Sequence, residues 1–262
     1  MIGLISGTSE GKNIVEGLNR FTDNILISTA TAYGGELFTN YKYKVLNTRV
    51  LTLNELRELF LKNNIEVLVD ASHPYALDIS CNCEKLCREL HIPYLRYERP
   101  SVCNKYRNKD KIIFADDYEE LIDKIKGIKE LQNTNSTILN TTGSKNIDKF
   151  IYSGISNRIV HRVLPSLEAI KNCFELGINT EDIIAIKGPV GYELNLGFID
   201  QYNAGAIVLK DSGVQGGTEE KIKAALHKGI YIFIIERKKK IYENVFYDQE
   251  ELVKYIKGKE LY

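Results

Sequence analysis

The chain has no excess of charge of either sign: 35 Lys and Arg stand against 35 Asp and Glu in 262 residues. No long-range field therefore draws it to nucleic acid or to an anionic membrane, and any anion site has to be local. No apolar run approaches the roughly 20 residues of a membrane span. The N-terminus shows neither a charged region ahead of an apolar core nor a cleavage pattern, so the expected location is cytoplasmic, without a membrane partner. The five cysteines are odd in number, and Cys81, Cys83 and Cys87 crowd together; this is no disulfide framework, and reduced thiols are expected. Internal repeats and low-complexity tracts are absent. The basic run Arg237 to Lys240 reads as a solvated turn, not a nucleic-acid patch.

What is present is a chain 44% hydrophobic, enough for a sizeable core in two domains. Short β-rich runs alternate with helical patterns, which predicts an α/β fold with parallel sheets. Strands are expected at Ile2–Ser6, Asn24–Thr29, Lys44–Arg49, Val67–Ala71, Tyr94–Tyr97 and Lys111–Ala115, then at Thr137–Asn140, Arg158–Val163, Ile183–Ile186, Ala206–Lys210 and Tyr231–Ile235. Thr52 and Glu55 form a capping box that opens a helix to about Lys62. The polar stretch from Gly127 to Ser136 is the expected boundary, dividing an α/β domain 1–130 from another, 131–262.

Ligands of open parallel sheets bind where strands end and helices begin. The first such turn, Ser6 to Gly11, lacks a full G-x-G-x-x-G pattern, although Gly7 and Gly11 permit close approach and Thr8, Ser9 and Glu10 add polar groups. The second strand ends without the acid that holds a ribose in NAD-type sites. The fourth leads into Ser72-His73-Pro74-Tyr75, where His73 can bind an anion or move a proton, or else bond the backbone. Beyond it, Ile79, Cys83, Leu86, Cys87 and Leu90 make a core-facing stripe. Cys83, Cys87 and His91 share a helical spacing, but two of them lie in that stripe and no fourth ligand follows, so no metal site is expected. Arg96 and Arg99 close the next strand, placed to clasp carboxylates or phosphate.

In the second half, Thr141, Thr142, Gly143, Ser144 and Lys145 form another strand-to-helix turn, and Arg162 follows on a later strand. The richest turn runs from Lys210 through Asp211, Ser212, Gly213, Gly216 and Gly217, whose glycines let backbone N–H groups converge on an oxyanion. It is not a Walker loop, because no Gly-Lys-Ser/Thr closes it. A capped structural turn is the alternative at each of these places.

Taken in order, GTSEG, DASHPYA, IPYLRYERP, TTGSK, RVLP, IKGPVGYELN and KDSGVQGGTEEKI resemble the precorrin-6A reductase family of cobalamin biosynthesis, over nearly the whole chain. That family usually carries Thr-His-Pro where this chain has Ser72-His73-Pro74. The resemblance implies two Rossmann-like lobes with an active-site cleft between them. It also implies NADPH-dependent reduction of the C18=C19 double bond of precorrin-6A or its cobalt complex, with NADH as the other possible donor. The cofactor residues expected are Gly7, Thr8, Ser9, Glu10, Gly11, Thr142, Gly143, Ser144, Lys145, Lys210, Ser212, Gly213, Gly216 and Gly217. For the acidic tetrapyrrole they are Ser72, His73, Arg96, Arg99, Arg162 and Lys187. His73 leads as proton donor or relay, followed by Tyr75, Asp211 and Glu193. Two other function classes stand beside this one: a transferase using a nucleotide-activated donor, and a two-lobed small-molecule binding protein.

Overall fold

Short aliphatic runs bounded by turns and followed by amphipathic segments pair in parallel through helical crossovers. The computed structural model describes residues 1–132, 135–238 and 240–260. The chain begins β1 (Ile2–Ile5), α1 (Ser9–Leu18), β2 (Ile25–Ser28), α2 (Ala32–Glu36), β3 (Val45–Asn47), α3 (Leu53–Lys62), β4 (Val67–Asp70), α4 (Leu77–Leu90) and β5 (Tyr94–Tyr97). It continues β6 (Ile112–Ala115), α5 (Tyr118–Gly127), α6 (Lys129–Gln132), β7 (Thr137–Asn140), α7 (Ile147–Ile151), β8 (Ile159–Val163), α8 (Leu167–Glu175) and β9 (Ile183–Ala185). It ends α9 (Tyr192–Gln201), β10 (Ala204–Lys210), α10 (Thr218–His227), β11 (Tyr231–Ile235), β12 (Val245–Phe246) and α11 (Gln249–Gly258). Every strand expected from the sequence is present to within about two residues. The Thr52–Glu55 capping box forms as read.

The strands make two six-stranded parallel sheets, ordered β12-β5-β4-β1-β2-β3 and β6-β11-β10-β7-β8-β9. The chain divides accordingly into one unit of Met1–Arg99 with Lys239–Tyr262 and a second of Pro100–Lys238. The boundary expected near residue 130 is therefore corrected. β6 pairs with β11, so the strand at 112–115 and the helix after it belong to the second unit. The polar stretch after Gly127 lies inside that unit, where Leu131 is buried and Asn157 donates to the carbonyls of Leu131 and Ser136; Asn133 and Thr134 of this stretch lie outside the described residues. The last segment returns to the first unit, where β12 pairs with β5.

In the first unit, α1 and α11 cover one face through Ile14, Leu18, Leu252 and Ile256. On the other face α3 and α4 pack Leu56, Phe60, Cys83 and Leu86 against the sheet. In the second, Ile199 of α9 and Ile222 of α10 join the strands on one face, and Ile147 and Cys173 do so on the other. Fully buried strands of this kind need apolar residues on both faces, which is why β1, β2 and β4 lack strict alternation.

Both sheets reverse their strand order once near the middle, the first between β1 and β4 and the second between β7 and β10. At such a switch point the following crossovers leave to opposite sides and open a crevice beyond the strand ends. Four polar turns lie there: Ser6–Gly11 and Ser72–Tyr75 in the first unit, Thr141–Lys145 and Asp211–Gly217 in the second.

Candidate functional site

In the first unit, Ser6 continues β1 and donates its N–H to Ser28. The chain then turns through exposed Gly7 into α1, whose N-cap Thr8 makes no side-chain cap bond. Thr8 Oγ1 is buried without a hydrogen-bond partner. A side chain on Gly7 would meet nothing within 4 Å, whereas a Cβ on Gly11 would lie 2.1 Å from Ser6 Oγ. Gly7 thus faces open space, and Gly11 is required for the close approach of helix to strand. Glu10 and Arg99 form a buried, two-pronged ion pair, with Arg99 Nη2 donating to Glu10 Oε2 at 2.7 Å and Nε against Oε1. The Glu10 carboxylate and that edge of Arg99 therefore hold each other, a pairing the sequence reading did not include.

Across the switch point, Asp70 is fully buried at the end of β4. Its carboxylate accepts from Ser72 N (2.9 Å) and Tyr94 OH (2.6 Å) and pairs with Arg96 Nη1 (2.9 Å). Burial alone would raise the Asp70 pKa, but Arg96 and the hydrogen bonds from Ser72, Ser80 and Tyr94 outweigh it and hold the carboxyl below its ordinary value. Arg96, only 1% exposed, also donates to Ser72 Oγ at 3.0 Å, and Ser72 Oγ lies 3.1 Å from Ser80 Oγ. Arg96 and Ser72, expected to meet the substrate, build the floor beneath the loop. His73 stands on that floor, half-buried. Its Nδ1 accepts from Tyr75 N at 3.3 Å, and the Tyr75 ring lies 5.8 Å away.

In the second unit, Asn140 plays the part of Asp70. Fully buried at the end of β7, it accepts from Thr142 N (3.1 Å) and Thr142 Oγ1 (2.8 Å) and gives its amide to His161 Nδ1 (3.0 Å). Burial pushes His161 down to about 4, so the ring is neutral and can accept. Thr142 is thereby held from behind, while Gly143 adopts a φ of +89° and a Cβ there would meet nothing within 4 Å. Lys210, at the end of β10, is pushed down to about 8 by burial and then by neighbouring Lys145, and its Nζ lies 5.7 Å from the Tyr118 ring. Two lysines close enough for one to disfavour the charge of the other suit an anion.

Asp211 was expected as an acid. The structure gives its carboxylate to Ser101 Oγ, Val102 N, Gly213 N (3.3 Å) and Arg237 (3.4 Å), while Arg237 Nε donates to its carbonyl at 2.7 Å. These bonds hold the glycine loop in place. Arg237, expected in a solvated turn, is therefore an anchor, and Lys240 pairs with Glu84 at 2.6 Å; Lys239 lies outside the described residues. Gly213 and Gly217 have φ of +73° and +65°, and a Cβ on Gly217 would come 3.3 Å from Pro189 Cβ. Arg162 is half-buried and donates to Asn195 Oδ1 at 2.8 Å, while Ser144, Ser212 and Gly216 line the turns and Lys187, Ser9 and Glu193 are exposed. Cys83 and Cys87 lie in the core with their thiols pushed up, Cys87 to about 12, and His91 is exposed at the end of α4.

Sequence reasoning missed Lys221, buried on α10, and the pair Asn140 and His161. A lysine in an amphipathic helix reads as solvent-facing, and nothing local links two residues 21 positions apart. It also missed a pattern of helix starts. The N-caps Thr31, Thr52, Asp117, Ser166 and Asp248 all accept a first-turn N–H through their side chains. Thr8, Ala76, Asn146 and Gly217, which open the helices at the two switch points, do not, and neither does Gly191 of α9. Uncapped helix starts keep N–H groups and positive dipole ends for a ligand.

Comparison with known proteins gives the family and the fold. The family model described as precorrin-6x reductase CbiJ/CobK matches residues 1–257. The chain is 34% identical to the cobalt-precorrin-6A reductase of Methanocaldococcus jannaschii, over 97% of this chain and 96% of that one. It is 33% identical to the protein of the same name from Methanococcus maripaludis, over 98% and 99%. A solved structure of CobK precorrin-6A reductase shares the fold, with a TM-score of 0.76 at 15% identity over 98% of this chain and 96% of that one. With two parallel six-stranded sheets and a match along nearly its whole length, the chain belongs to the precorrin-6x reductase family.

Proposed function

We propose that this oxidoreductase reduces the C18=C19 double bond of cobalt-precorrin-6A with NADPH, giving cobalt-precorrin-6B in cobalamin biosynthesis. The observation that carries the reading is the family match along residues 1–257, and the cobalt form follows the names of the relatives that span the chain.

The residues present fit a phosphorylated dinucleotide. Helix starts without side-chain caps, the unpartnered Thr8 Oγ1 and the Lys145–Lys210 pair all suit phosphate oxygens. Taken each by itself, the first unit offers Gly7, Thr8 and Ser9, and the second Gly143, Ser144, Lys145, Lys210, Ser212 and Gly213, as the groups proposed for its phosphates. Gly11, Thr142, Gly216 and Gly217 shape those turns. When bound, a reduced nicotinamide supplies the hydride, so the chain needs no covalent nucleophile. What remains for the protein is to orient the rings, exclude water and deliver one proton. His73 is the proposed donor, set by Asp70, Arg96 and Ser72 beneath it and by the Tyr75 N–H on Nδ1, with Tyr75 beside it. Lys187 is proposed to meet an acidic side chain of the macrocycle.

Anaerobic incubation with precorrin-6A, with and without cobalt, tests this directly. NADPH absorbance is expected to fall only when the tetrapyrrole is present, and faster with cobalt; no consumption with either form would contradict the reading. A His73→Ala variant is expected to lose about 10²- to 10⁴-fold in rate while binding both partners, and an unchanged rate would remove His73 from its role.

A further inference from the structure

We infer that Arg162 and Lys221 form an oxyanion subsite in the second unit, which takes a carboxylate or phosphate oxygen of one of the two reaction partners; this rests on the polyanion-binding function proposed above. The two cations come from different elements, β8 and α10, and are tied into one cluster. Arg162 Nη1 donates to Asn195 Oδ1 at 2.8 Å. Asn195, 2% exposed, in turn donates to the carbonyls of Val190 (2.9 Å) and Gly191 (2.8 Å), fixing the turn that opens α9. That turn packs on the glycine loop, since a Cβ on Gly217 would lie 3.5 Å from Val190 O. From the other side Lys221 Nζ donates to Gly216 O at 3.3 Å. Both helices that start here, α9 at Gly191 and α10 at Gly217, lack a side-chain cap.

The cluster lacks negative charge. Lys221 is 6% exposed, yet among the described residues no carboxylate lies within ion-pair distance of it or of Arg162. Glu193, in the first turn of α9, is exposed and pairs with neither. One carbonyl satisfies one of the three donors of an ammonium, and two buried cations without a counter-ion are costly unless an anion joins them. Burial pushes Arg162 down to about 10, and burial and then Arg162 push Lys221 down to about 7. Arg162 and Asn195 also line a small cavity with Leu139, Thr141, Ile184 and Phe198, and apolar surroundings strengthen a charge's attraction to an anion. This cluster is separate from Lys145 and Lys210: Arg162 reaches toward α9, whereas Lys210 lies against Tyr118 of α5.

The test compares wild type with Arg162→Gln, Lys221→Met and Lys221→Arg. It measures KM for NADPH and for cobalt-precorrin-6A in turnover, and Kd for inorganic pyrophosphate by calorimetry. Gln and Met at these positions are expected to raise one KM by about tenfold or more, far more than they lower kcat, and to weaken pyrophosphate comparably, because each removes a charge-assisted hydrogen bond. Lys221→Arg is expected to restore binding. A rise for NADPH alone assigns the subsite to a cofactor phosphate, and a rise for the tetrapyrrole alone to a substrate carboxylate. Folded Arg162→Gln and Lys221→Met proteins with both KM values and the pyrophosphate Kd within about twofold of wild type would overturn the subsite, since the loss of a charge-assisted bond is larger than that. If wild type turns over neither partner, the pyrophosphate series still decides: loss of binding in Lys221→Met upholds the subsite while the proposed reaction falls. Should Arg162→Gln not fold, Lys221→Met carries the test, because it keeps the length of the side chain and removes a buried charge.

Discussion

Three side chains at strand ends do the same work. Asp70, Asn140 and Asp211 each accept the N–H of the residue two positions on, at 2.9, 3.1 and 3.3 Å, and so bend the loop that follows. Each is in turn held by a partner distant in sequence: Arg96, His161 and Arg237. For His161 this has a consequence in pH. Its folded-state value is depressed to about 4, below the ordinary 6.5, so the unfolded chain takes up the proton first as the pH falls. The stability contributed by the neutral ring is complete above about pH 6.5 and is lost between there and about pH 4, by up to about 3 kcal/mol. Chemical denaturation across that range is expected to show this slope in wild type and to show it reduced by one proton in His161→Gln; identical slopes would contradict the assignment. The loop that carries His73 was legible because it is rich in polar groups and its strand end is recognisable. The inward turn of Ser72, Arg96, Arg99, Glu10 and Asp211 was not, because sequence marks a strand end but not the face a long side chain takes, and Glu10 and Arg99 are 89 positions apart.

Among elements, the contrast between capped and uncapped helices separates scaffold from site. Thr52 caps as its capping box requires. Thr8 and Asn146 are residues that ordinarily cap and here do not, so their sequence alone points to the wrong role. The two glycines of the first turn divide the same way. Gly11→Ala is expected to destabilise by about 1–3 kcal/mol, because its Cβ would overlap Ser6. Gly7→Ala is expected to change stability by less than about 0.5 kcal/mol, since nothing lies within reach, while raising KM for NADPH about tenfold. Thermal unfolding and steady-state kinetics separate the two effects. Equal stability losses, or an unchanged KM in Gly7→Ala, would place the turn among purely structural ones.

On the scale of the whole molecule, α/β class and strand positions could be read from runs of aliphatic residues, because buried parallel strands leave a strong local signal. The partition into units could not. It depends on β6 choosing β11 and on the two-residue β12 returning to β5, and such pairings are decided by partners more than a hundred residues away. The polar stretch after Gly127 resembles a linker only until Asn157 is seen to hold it. What both units have in common is an order reversal flanked by polar turns, and these turns are where the reaction partners are expected to bind. Hydrogen-exchange mass spectrometry with NADPH and the tetrapyrrole, each alone and then together, tests that most directly. Protection is expected to concentrate in residues 6–11 and 71–76 of the first unit and 141–146 and 210–217 of the second. Protection confined to the opposite ends of the sheets, with these segments exchanging as in the free protein, would contradict it.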